Sequence, residues 1–177
     1  MDMTSIAVDR YLNNIKTKLL SNQSICKYLY YDLDNPLAEA DISDTSILIT
    51  DKDNQKIFFT PFTLDSTDSQ KTTLTIMVDN FDLDNRTNYY KKMDITFLVM
   101  CHKKLWELND GSNEIKLRVN GIWHELNGIF NNKSNIVGLG RAIFDYSKIV
   151  QFNDYFWGYR YCLSVKDFPD LQSLGSV

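Results

Sequence analysis

Glycine and proline are scarce in this chain, at 7 and 3 of 177 residues, and no stretch is rich in either. With 44% hydrophobic and 13% aromatic residues, such a composition excludes a disordered chain, a fibrous repeat and a low-complexity linker. Cysteine is limited to Cys26, Cys101 and Cys162, odd in number and far apart. That is the pattern of reduced, packed thiols in a cytosolic protein, and it excludes a disulfide framework. No apolar run approaches membrane-spanning length. The start carries Asp2, Asp9 and Arg10 around a short amphipathic stretch, so a signal peptide is not expected. The expectation is a soluble protein made in a cytoplasm.

Long runs of one charge are also missing. The net charge is −4, from 19 basic and 23 acidic residues. The longest basic runs are pairs such as Lys91-Lys92 and Lys103-Lys104. This balance argues against duplex DNA as the main partner, because affinity for it comes largely from neutralising phosphates, and against sequence-specific nucleic-acid binding.

What is present is alternation. From Tyr155 to Lys166, the residues Tyr155, Trp157, Tyr159, Tyr161, Leu163 and Val165 fall on one face of a strand. Gly158, Arg160, Cys162, Ser164 and Lys166 fall on the other. A second long strand is predicted over 72–82, with Leu74, Ile76 and Val78 opposite Thr73, Thr75 and Met77. Its answering strand, 89–102, turns Ile95, Phe97, Val99 and Cys101 inward, and the polar cluster between the two reads as a hairpin. Residues 136–144 are expected to pair with the last strand as a second hairpin, separated from it by 145–153.

Helical spacing occurs twice. Val8, Tyr11, Leu12, Ile15 and Leu19 form one stripe within 4–20, and Ile115, Val119, Ile122, Trp123, Leu126, Ile129 and Phe130 another within 113–130. Ser112 or Asn113 is the expected cap of the second helix and Asn131-Asn132 its stop. Gly121 and Gly128 weaken it. A short helix is favoured over a strand from Ser24, while the apolar runs at 47–49 and 56–60 read as short strands before Pro61. The sum is an α+β domain: an antiparallel sheet of two long hairpins with helices packed on one face. It spans residues 1–168, with 169–177 as a loose tail.

No catalytic or metal constellation stands out. Asp79, Asp82 and Asp84 suggest a cation loop, but no glycine marks the bend and Met93 stands where the bidentate glutamate belongs. An acidic turn explains them better. Glu114-Ile115-Lys116 is the Glu-x-Lys fragment of many metal-dependent nucleases, with Asp94 as a conceivable third member; charge on a helix's first turn accounts for it more simply. Cys101 and His102 are adjacent on a strand and point to opposite faces, so they form no dyad, although Cys162 and His102 could meet through space. Gly138-Leu139-Gly140 is too short for a dinucleotide fingerprint. The aromatic stripe of the last strand suits a stacking platform, but two amphipathic helices need a surface to cover, and core is the favoured role.

The layout resembles the tail-terminator (tail-completion) proteins of long-tailed bacteriophages. The similarity is carried by Thr72-Thr73-Leu74-Thr75-Ile76-Met77-Val78, by Met93-Asp94-Ile95-Thr96-Phe97-Leu98-Val99-Met100, by Asn120-Gly121-Ile122-Trp123-His124-Glu125-Leu126, and by Trp157 to Val165. The segment 32–70 departs from it by its length. The resemblance implies a virion protein without catalysis, cofactor or metal. It would cap the head-proximal end of the tail tube as a ring, commonly a hexamer, and join the tail to the head connector or neck. A different neck protein and a metal-dependent nuclease are the alternatives. A ring needs unlike patches on each subunit. The expected ones are the outer face of the long hairpin, with Thr73, Thr75, Lys91 and Lys92, and either the loop 63–70 or the face bearing Arg160 and Lys166.

Overall fold

The computed structural model describes residues 3–62, 64, 69–83, 90–134 and 141–166. Helices α1 (Met3–Leu20) and α2 (Gln23–Tyr30) lead into a 3-10 turn at Pro36–Ala38, one helical turn α3 (Ile47–Thr50) and the short strand β1 (Ile57–Phe58). The long strands β2 (Thr72–Leu83) and β3 (Tyr90–His102) follow. After a 3-10 turn at Lys103–Leu105 come β4 (Glu107–Leu108), β5 (Lys116–Leu117) and α4 (Arg118–Phe130). Then β6 (Lys133–Ser134), β7 (Arg141–Gln151) and β8 (Phe156–Lys166) complete the order.

The sheet order is β1-β2-β3-β8-β7-β6, with β4-β5 as a separate two-stranded ribbon. Both predicted hairpins form, and β3 joins β8 antiparallel to merge them. The α+β class holds, with one departure: β1 pairs parallel to β2, so the sheet is mixed at that edge.

One sheet face is apolar because two-residue periodicity puts Leu74, Ile76, Ile95, Phe97, Val99, Tyr161, Leu163 and Val165 together. The helices cover it with their own stripes. Tyr11, Ile15 and Leu19 from α1, Ile25 and Leu29 from α2, and Val119, Ile122, Leu126 and Phe130 from α4 are all buried in one cluster. Trp123 lies over Tyr161 at 4.3 Å between ring centres, so the middle of the aromatic stripe is core. Tyr155 is exposed and precedes the strand, while Phe156 is buried on the other face.

Several expected boundaries move. The 47–49 run is a helical turn, because Ser46 and Ile47 carbonyls accept from Thr50 and Asp51 N–H groups locally instead of entering the sheet. α4 starts at Arg118, not Asn113; residues 116–117 are drawn into the β4-β5 ribbon, and Ile115 is left exposed. Neither Ser112 nor Asn113 caps it, since Leu117 occupies the cap position. β7 runs through Gln151, which shortens the turn before β8. Gly121 has a packing reason: a Cβ there would lie 2.6 Å from the Tyr28 ring, where α2 crosses α4. Gly128 has none.

Candidate assembly surface

Two features could engage a partner: the outer sheet face, away from the helices, and the two sheet edges.

The outer face is polar at one end and apolar at the other. At the apolar end Phe58 stacks on Phe62 at 3.7 Å, bringing the chain after β1 over the sheet. Leu64, Met100 and Phe156 form a small buried cluster there with Phe62, Leu98 and Val150. Thr73 and Thr75, which pair with Met100 and Leu98, are accordingly only 1% and 2% exposed. Their expected place in an open interface is corrected by this cover.

At the polar end most of the charges described are locally engaged, Lys148 standing exposed beside them. A β-bulge between Val78 and Asn80 turns Asp79 onto this face, where it accepts from Thr96 at 2.5 Å and pairs with the Arg160 guanidinium. Arg160 Nε also donates to Thr96 Oγ1 at 3.1 Å. Arg160 is therefore committed within the subunit. A second bulge, between Phe144 and Tyr146, presents Asp145. Ser164 Oγ sits between the carboxylates of Asp94 and Asp145, and Lys92 Nζ is 3.0 Å and 4.0 Å from them. The backbones of Lys91 and Lys166 lie in β3 and β8; their side chains fall outside what is described. So do Asp84, Gly138, Gly140, most of the 63–70 loop and the 169–177 tail.

The proposed nuclease residues do not meet. Asp94 is on the outer sheet face, whereas Glu114 and Lys116 lie beside the β4-β5 ribbon on the helical side. Lys116 Nζ binds Asp110 at 2.5 Å and holds that carboxyl well below its usual range. Among the described residues no group of three or more His, Cys, Asp or Glu converges as a metal cluster. His102 and Cys162 share the outer face, but their strand positions pair with Phe156 and Thr96 respectively, roughly 20 Å apart at the rise of a strand. Burial raises the thiols of Cys26 and Cys101 to about 12 and about 11, so they stay protonated. A cleft lies beside Trp157 and Trp106, rimmed by Lys103, Lys104 and Glu107.

The edges are different. β1 pairs only with Leu74 and Thr75, so residues 76–83 of β2 have no described strand beyond them. On the far side β6 pairs only with Arg141 and Ala142, and Asn131 Oδ1 accepts from the Phe144 N–H. Among the described residues, 145–151 of β7 likewise have no strand beyond them and form a second open edge, along which Tyr146 is 50% and Ile149 53% exposed. Unpaired edges of this length are templates for another strand.

A family model matches residues 22–165 of the chain, under the description YomW. The chain belongs to the YomW family. Membership associates the protein with bacteriophage. The match starts at α2 and takes in the whole sheet, leaving α1 outside it. No curated protein and no solved structure matches the chain.

Sequence reasoning named Arg160 but missed its partner, because a bulge places Asp79 and bulges leave little trace in alternation. It also missed Arg118. This arginine is fully buried at the start of α4 and donates to the carbonyls of Leu105, Tyr28, Tyr31 and Leu33. Its signal, a lone basic residue between Leu117 and Val119 in an apolar stripe, was available.

Proposed function

We propose that this protein is a non-enzymatic structural component of a phage virion. In this reading it caps the head-proximal end of the tail tube as a ring, most naturally a hexamer, stops tube growth and joins the tail to the head connector. Its partners are further copies of itself, the tail tube protein and a connector or neck protein, and it needs no cofactor. The observation that carries the proposal is a sheet of four long antiparallel strands whose outer two, β2 and β7, are only partly covered among the described residues, in a member of a phage-associated family. An isolated domain with such edges is poised for assembly. The mixed polar outer face, with Asp79 paired to Arg160 and Lys92 to Asp94, suits a chain that stays unassociated until a template is offered.

Deleting the gene from the phage tests this. The expected result is tails of uncontrolled length that fail to join heads. Tails of normal length with unjoined heads would point to another neck protein, and normal virions would remove the structural reading altogether.

A further inference from the structure

We infer that copies of this chain join head to tail through their sheets, β7 of one copy pairing antiparallel with the open half of β2 in the next. The inference rests on the ring reading and adds the surface that builds the ring. Three observations on the two edges carry it.

The first is direction. β2, β3, β8 and β7 are antiparallel in turn, so β7 runs opposite to β2. A neighbour placed with the same face and the same strand direction therefore brings its β2 antiparallel to β7, the more stable ladder. An even number of long antiparallel strands makes this follow without any rearrangement.

The second is that the openings are complementary and staggered. The β7 opening is centred on Lys148, which lies level with Arg160, Leu98 and Thr75 across the sheet. The β2 opening begins only at Ile76. Neighbours are thus offset along the strands by about four residues, on the order of 13 Å. A closed circle of tilted strands requires a stagger of this kind.

The third is charge. Self-pairing of β7 about the centre of its open run would set Lys148 against Lys148, and like charges directly opposite are destabilising. The β2 opening instead offers exposed Asn80 and, beside it, the partly exposed carboxylate of Asp79, which it shares with Arg160, on the face that carries Lys148. Lys148 and the bulge at Asp145 are also devices that keep an edge from pairing indiscriminately. Ile149 and Tyr146 supply the apolar contact area.

Cysteine cross-linking in assembled particles tests the pairing. Lys148→Cys and Asn80→Cys place thiols on the same face of the two edges. Under mild oxidation each variant alone should give no covalent dimer, a mixture should give dimers, and the double variant should give a ladder. Dimers from Lys148→Cys alone would overturn the inference in favour of a two-fold contact. Closed oligomers trapped by an amine-reactive reagent, with no Lys148–Asn80 link in the mixture, would overturn the pairing and leave the ring standing. Absence of any oligomer in particles would end both. As an independent check, Ile149→Lys should melt like the parent protein yet fail to enter the oligomer; if it enters as the parent does, the β7 edge is not the interface.

Discussion

Asp79 and Arg160 stand 81 positions apart in the chain and meet across three strands, with Thr96 between them. The bulge before Asn80 supplies the carboxylate, and the alternation of β8 supplies the guanidinium. Their side chains remain 25% and 41% exposed. Solvent therefore screens the pair, and it is worth about 1 kcal/mol or less. Asp79→Asn and Arg160→Met should each lower stability by about that amount, with a double-mutant coupling of similar size in denaturant titrations. A coupling near zero would show that the pair organises the face without stabilising it.

Arg118 behaves differently because it is buried. Its guanidinium gathers the carbonyls that end α2, together with Leu105, so removing it leaves several buried acceptors unpaired. Arg118→Met should cost about 3–5 kcal/mol, the range for breaking a buried charged network. Chemical denaturation measures it, and Arg118→Lys should recover only part, since an ammonium cannot reach a fork of carbonyls.

Two glycines are predicted to respond with opposite sign. A Cβ at Gly158 would lie 1.8 Å from the Val99 carbonyl oxygen, a backbone atom held in the sheet. Gly158→Ala should destabilise by about 3 kcal/mol or more, at the upper end of overpacking effects. A Cβ at Gly128 meets nothing within 4 Å on α4. Gly128→Ala should raise stability by about 0.5–1 kcal/mol through helix propensity. Thermal melts of the two variants suffice.

His102 links stability to pH. Burial first, then Lys104 and Lys103, lower its pKa from 6.5, and its neutral Nδ1 accepts from the Lys104 N–H to cap the following 3-10 turn. The folded state thus binds this proton less readily than the unfolded chain. Its contribution is complete above about pH 6.5 and is lost as the pH falls through the depressed folded value. His102→Asn keeps an acceptor without titrating, so its stability should fall less than the parent's on acidification; parallel pH profiles would exclude the role.

How far the sequence carries differs from element to element. β2, β3 and β8 were legible because apolar residues alternate with polar or small ones along much of each, so a period of two survives in the residues. α1 and the body of α4 were legible for the corresponding helical reason. The start of α4 was not, because Glu114-Ile115-Lys116 fits a helical stripe until Lys116 and Leu117 find strand partners in Leu108 and Glu107. Thr73 and Thr75 read as surface because threonine on an outer face usually is. Their burial comes from Phe62 and Leu64, which cross from a segment with no periodicity.

By itself the sequence determined the class of fold, the two hairpins, the helix-covered face and the absence of any recognisable catalytic motif. All of these follow from the local pattern of apolar and polar residues. Which strands stand at the edges was decided only by the tertiary structure. β8 inserts between β3 and β7, and that pairing is made between segments distant in the chain. No local periodicity encodes which strand is left without a neighbour; among the described residues, the open stretches of β2 and β7 follow from that order and from β1 and β6 being only two residues long.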